Sequence, residues 1–251
     1  LPKSRFSWIF MEESVILISK YVWAGLGGFG MNIFDILGPV MVGPSSSHTA
    51  GAVRIGYITR TLLGSQPVKA EIGLHGSFAA TGKGHGTDRA VVAGLLGMKP
   101  DDMRIPESFE VAGQEGLEFR IQNIQIPGAH PNTALLKVCG EDGRTVEVQA
   151  SSLGGGRIMV NKLDGIMVNC TGECPTLIVQ NHDRPGHVAA VTSMLAEDSI
   201  NIATLQLYRG KKGGDAVMVI EIDQPVPEAS IRWFEQQDGI IKVTYIDRED
   251  A

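Results

Sequence analysis

The chain has 251 residues, 43% of them hydrophobic and 20% charged, which allows two modest domains or one large one. A net charge of −6, no run of Lys or Arg, and 6% aromatics argue against a nucleic-acid surface or a stacking platform for single strands. Three cysteines are too few for a secreted disulfide framework, so a reducing cytoplasm fits best, and without HExxH or CxxC no self-contained structural zinc site is expected.

Residues 1–30 differ in character from the rest of the chain. Their apolar portion from Val15 is interrupted by Lys20 and is too short to span a bilayer. No basic region precedes an unbroken apolar core, so neither a signal peptide nor a membrane anchor is expected. Gly27 and Gly28 are compatible with a purine-rich ribosome-binding signal just before an ATG at Met31. Residues 1–30 are therefore expected to be an upstream extension or a disordered segment, with an amphipathic helix as the alternative. N-terminal sequencing of the natural protein distinguishes the two.

Residues 31–172 read as an α+β domain by element order. A short helical turn is expected at 32–37 and a helix at 48–63 behind a Ser-rich N-cap. Alternation predicts a strand at 68–74. Helical spacing returns at 87–96, with Asp88 in the first turn. Strands are expected at 119–126, 133–138, 145–151 and 157–163. Beyond 175 the pattern becomes regular. A strand at 176–180 precedes a helix from Pro185 and Gly186 to Ala196, with Val188, Val191 and Leu195 on one face. A hairpin at 201–222 turns at Gly210–Gly214, and a helix at 227–236 leads to a strand at 240–246. That order, βαββαβ, is ferredoxin-like.

Four small-residue segments sit at element boundaries. The first runs from Gly43 to Thr49 and holds Ser45, Ser46, Ser47 and His48, whose hydroxyls and helix-start amides suit an anionic group. The second runs from Gly76 to Asp88. It is not a Walker A loop, because Gly84 follows Lys83 and five residues separate Gly76 from Gly82. What it offers is His85 between two glycines, a residue type suited to proton transfer, with Thr87 beyond. The third is His130, Pro131, Asn132 and Thr133. The fourth is Ser151 to Arg157, with Gly154, Gly155 and Gly156 between two strands. Each segment alone is explained equally well by capping or a bulged turn.

In this order GPSSSHT, TGKGHGTD, HPNT and SLGGGRI resemble the β chain of the bacterial iron–sulfur L-serine dehydratases (L-serine ammonia-lyases), from Met31 to the C-terminus. Residues 175–251 resemble an ACT domain, on Asn181, His182, Asp183, Arg184, Pro185 and Gly186 and on Asn201 opening the second strand. The resemblance implies that L-serine is deaminated to pyruvate and ammonia, with a [4Fe–4S] cluster held by cysteines of a partner α chain and no metal ligand in this one. It implies a first domain similar to the allosteric substrate-binding domain of some phosphoglycerate dehydrogenases, and self-association through ACT domains that bind an amino acid. Proton transfer falls to His85, aided by Thr87, with His48 and His130 as rivals. Ser45, Ser46, Ser47 and Asn132 would bind substrate, and Gly154, Gly155 and Gly156 would let backbone approach the cluster. The competing expectation is a non-enzymatic regulatory subunit that senses an amino acid through residues 175–251.

Overall fold

The computed structural model describes residues 40–247. The segment 1–30 and the turn expected at 32–37 lie outside them. Two sheets carry the fold, six strands in one and four in the other.

The first half opens with a wide π-type turn, Ser46–Ala50, that runs straight into helix α1, Gly51–Leu63. Strand β1, Pro67–His75, comes next. Helices α2 (Ser77–His85), α3 (Thr87–Leu95) and α4 (Ser108–Glu115) then cross over to strand β2, Glu118–Ile124. β2 pairs with β1 in parallel, which a two-residue hairpin could not achieve. Strands β3 (Thr133–Gly140), β4 (Thr145–Gly154), β5 (Arg157–Leu163) and β6 (Ile166–Cys170) complete the sheet as antiparallel neighbours, in the order β2-β1-β3-β4-β5-β6.

Alternation decides which face is covered. Ala70, Ile72, Leu136, Val138, Val146 and Val148 bury against α1 and α3, while Lys69, Glu71, Lys137 and Glu147 take the other face. There Lys137 and Glu147 pair across β3 and β4 at 2.9 Å. α1 and α3 cross at glycines. A Cβ at Gly56 would lie 2.2 Å from the Val91 carbonyl, and one at Gly94 2.0 Å from that of Val53.

Three elements of this half depart from the sequence reading. The glycine-rich stretch after β1 is helix α2, because Phe78 is fully buried and anchors its first turn despite the poor helix propensity of Gly82 and Gly84. Helix α4 and strand β6 were not expected, being short and without a clear period.

The second half is the expected βαββαβ unit: β7 (Thr176–His182), α5 (His187–Glu197), β8 (Ile202–Arg209), β9 (Asp215–Ile222), α6 (Glu228–Glu235) and β10 (Ile240–Ile246). Its sheet runs β10-β7-β9-β8, all antiparallel. Leu177, Val179, Met218 and Ile220 face Val191, Leu195 and Phe234 of the helices. Val188, expected on that face, is 38% exposed, and Met194 turns inward instead.

The boundary drawn at 172–175 falls on the link between the sheets, yet the packing does not stop there. Ile178, Val217, Val219 and Ile246 join the core of the first half, so β7 and β9 are covered on both faces. Lys242 on β10 donates to the carbonyls of both Leu62 and Leu63 at the end of α1, where the helix dipole favours a cation. Burial pushes the pKa of Lys242 down, and Arg144 adds to this. Lys242→Met is expected to destabilise the chain by about 1.5–3 kcal/mol, read from denaturant melts, because two carbonyls lose a charged donor. An unchanged midpoint would show that the bond contributes nothing.

Candidate functional site

Hydrogen bonds to backbone carbonyls draw the four small-residue segments together. β1 ends at His75, and Gly76 turns the chain so tightly against the third segment that a Cβ would meet the Pro131 carbonyl at 2.5 Å. That carbonyl accepts from the Ser77 amide at 2.8 Å. The Thr49 hydroxyl of the first segment donates to the His85 carbonyl of the second at 3.1 Å. The Ser152 amide of the fourth donates to the Asn132 carbonyl of the third at 2.9 Å. Arg54, one turn into α1, donates to the Gly156 carbonyl at 3.1 Å. It thereby holds the hairpin in which Gly154, Gly155 and Gly156 all have positive φ, a run open to glycine but costly for other residues.

His48 sits at the centre. The Ser45 hydroxyl caps the π-type turn by accepting from the His48 amide at 3.1 Å, and the Ser46 carbonyl closes it. Such turns recur at functional sites because they re-aim one side chain out of the helical register. The imidazole meets a hydroxyl at each nitrogen, Ser47 Oγ 3.0 Å from Nδ1 and Ser77 Oγ 2.9 Å from Nε2. Ser45 and Ser47 hydroxyls lie 3.3 Å apart. The ring packs against Phe78 and lies 5.1 Å from the His85 ring, centroid to centroid. Burial, and then the neighbouring His85, hold the His48 pKa below its ordinary 6.5. A neutral ring at physiological pH can accept a proton. If His48 is the essential base, activity survives acidification to below pH 6.5 and is lost only as pH falls through the depressed value. The acid limb of kcat/KM is therefore expected below 6.5, and a limb above it would exclude His48.

The other expected residues take several different places. His85 adjoins His48, and its Nδ1 is buried without a hydrogen-bond partner. Thr87 is fully buried and its Oγ1 is also unpartnered, so it does not orient His85 through a hydrogen bond. Thr49, which sequence reasoning left out of the site, bonds the His85 backbone instead. Its signal was adjacency to His48. His130 is exposed and spends Nδ1 on the Asn132 amide at 3.1 Å, shaping its own loop. Thr133 of the third segment and Ser151 of the fourth, neither singled out from the sequence, form with Asn161 a chain of bonds 2.7 and 2.6 Å long. Ser152 Oγ and Arg54 Nε are buried without partners. Unsatisfied buried groups of this kind are rare in a finished interior and mark where an additional group would be accepted.

The second expected loop is partly assembled. Asn181 is buried, donates to the His182 carbonyl at 2.7 Å and leaves Oδ1 unpartnered. His182 pairs with Asp215 at 2.9 Å. The Gly213 amide, and then Arg209, hold the Asp183 carboxyl below its ordinary pKa. Gly186 precedes α5 with φ 103°. Asn201 is elsewhere, bonded to Asp223 at 2.6 Å. Antiparallel register explains this: His182 lies opposite Asp215, while Ile202 lies opposite Ile222 at the far end of β9.

Among the described residues, no three His, Cys, Asp or Glu side chains converge as a metal site. Cys170 is buried, with its thiol pushed up to about 11, and Cys174 is exposed. The donor set therefore does not fit an iron–sulfur cluster held by this chain's described residues alone. No helix among them is long and apolar enough to cross a membrane.

Residues 32–114, which span the first two segments, match the family model for the serine dehydratase beta chain. Over 217 residues, 86% of this chain and 97% of the relative, the sequence is 41% identical to the probable L-serine dehydratase, beta chain, of Bacillus subtilis. It is 39% identical over 197 residues to the L-serine dehydratase, beta chain, of Peptoniphilus asaccharolyticus, covering 78% of this chain and 89% of that one. A D-3-phosphoglycerate dehydrogenase of Bacillus subtilis is 24% identical over 160 residues, 63% of this chain and 30% of its own length. The fold and the clustered His and Ser side chains, taken with these relatives, are those of an enzyme subunit. The chain belongs to the serine dehydratase beta-chain family, and a beta chain implies a partner subunit.

Proposed function

We propose that this chain is the β subunit of a two-chain, cytoplasmic L-serine dehydratase that converts L-serine to pyruvate and ammonia. The observation that carries the proposal is His48, neutral and held between two hydroxyls where the first and second segments meet. A [4Fe–4S] cluster on the partner α chain would supply a Lewis acid for the departing hydroxyl. This chain's own part is to take the proton from the serine α-carbon, for which His48 is the first candidate and His85, 5.1 Å away, the second. The electron pair of the broken C–H bond forms the C=C bond of aminoacrylate as hydroxide leaves. Tautomerisation to the imine and hydrolysis give the two products. Ser45, Ser46, Ser47 and Asn132 would bind the carboxylate and ammonium groups, and the Gly154–Gly156 hairpin, held by Arg54, would face the cluster.

The βαββαβ unit would act as an ACT domain that senses an amino acid through Asn181, His182, Asp183 and Gly186. The placement of Asn201 at the opposite end of the sheet supports self-association, since one ligand could meet both ends only across two copies.

The test is anaerobic serine-to-pyruvate turnover by this chain alone, then mixed with the cysteine-bearing α chain. Turnover only in the mixture is expected. Silence in both, with the partner's cluster intact by absorbance, would overturn the proposal.

A further inference from the structure

Ser77 lies in the second segment but ahead of its TGKGHGTD motif, and the fold spends considerable geometry on it. It is the first residue of α2, separated from the end of β1 by Gly76 alone, and its amide donates to the Pro131 carbonyl. Gly76 adopts φ 59°, ψ −122°, and a side chain there would strike that same loop. The strand end, the tight glycine and the Pro131 carbonyl together fix where the Ser77 hydroxyl points. It points at His48 Nε2, 2.9 Å away and 29 residues distant in sequence. Phe78, fully buried and in edge contact with the same imidazole, stops the ring from swinging off that line.

A neutral imidazole has one N–H and one bare nitrogen, and its two neighbours decide which is which. On the far side, Ser47 meets Nδ1 and can pass its own hydrogen to Ser45 Oγ, which already accepts from the His48 amide. Run in that direction, the chain takes a hydrogen from Nδ1 and ends on Ser45 Oγ, which then accepts two. Ser77 then donates to a bare Nε2. We infer that Ser77 is a positioning residue that fixes Nε2 of His48 as the proton-accepting nitrogen. The inference deepens the proposed role of His48 and rests on that reading for its catalytic consequence. Its structural part stands independently. In the reaction Ser77 acts only through His48: its hydrogen bond keeps Nε2 unprotonated in the resting chain, and its O–H turns away to free the lone pair when Nε2 takes the α-proton.

The test separates the two parts. The full chain is labelled with 15N-histidine, and the His48 ring signals are assigned by their loss in His48→Gln. In the wild type, Nε2 is expected to show the shift of an unprotonated nitrogen and Nδ1 that of an N–H. Ser77→Ala is expected to scramble this into a mixture of tautomers, and Ser77→Thr, which keeps the hydroxyl, to restore it. With the α chain added, Ser77→Ala should lower kcat roughly tenfold at unchanged KM. A scrambled tautomer restored by threonine supports the inference even if no mixture turns over serine, in which case the functional reading alone fails. A wild-type ring protonated at Nε2, or a Ser77→Ala variant with unaltered ring shifts, would overturn it even in a fully active enzyme. Backbone amide spectra confirm that each variant is folded before its ring signals are read.

Discussion

Replacing His48 with alanine is expected to lower serine turnover by the two-chain enzyme ~10²–10⁴-fold, the range for loss of a general base. KM should change little, because the imidazole works on the proton rather than on binding. His85→Ala is expected to act differently. It removes the neighbour whose charge opposes protonation of His48, so the His48 pKa rises toward 6.5 and the acid limb of the pH profile moves up with it. A rate loss confined to His85→Ala, with His48→Ala near normal, would transfer the base to His85. The measurement is kcat and kcat/KM against pH for both variants and the wild type, under anaerobic conditions with the same α-chain preparation. Thermal melts of the variants guard against a trivial loss through unfolding.

The largest stability effect is expected at Gly94. A Cβ there would lie 2.0 Å from the Val53 carbonyl oxygen, 2.6 Å from the Tyr57 nitrogen and 2.9 Å from the Gly56 Cα. All three obstacles are backbone, so no side chain can rotate out of the way, and α1 and α3 must separate. Overpacking typically costs about 1–3 kcal/mol, and Gly94→Ala is expected at the top of that range, roughly 3 kcal/mol. For a chain of this size that lowers Tm by roughly 6–12 °C. Gly113 is the control. It lies inside α4 with nothing within 4 Å of an added Cβ, so Gly113→Ala should be neutral or stabilising by about 0.5–1 kcal/mol. Because α1 continues directly from the turn that holds His48, separation at the crossing should also cost activity below the melting transition. Equal melting of wild type and Gly94→Ala would refute the close crossing.

Much of the architecture was legible because it rests on local physics. Period-two alternation marked β1, β3, β4 and β5 to within a few residues, since a half-covered sheet cannot tolerate a slipped register. The βαββαβ order was readable from apolar runs separated by glycine turns, and the four motif segments were visible as small polar residues at element boundaries. Helix α2 was not legible. Its glycines argue against a helix locally, and only the burial of Phe78 beneath it decides otherwise. Thr87 looked like an orienting hydroxyl beside His85, but its buried side chain makes no such bond. Asn201 looked like a companion of Asn181, and strand direction places it at the other end of the sheet.

By itself the sequence determined the fold class, the family and the set of segments that could carry chemistry, because composition, period and motif spacing are properties of the chain taken a few residues at a time. Only the tertiary structure decided which atoms of those segments meet. The Ser77–His48 bond, the Lys242 contact with the end of α1 and the merging of the two cores span 29 to 180 residues of chain. Such contacts depend on where strands end and which carbonyls their neighbours leave open, and no local pattern encodes that.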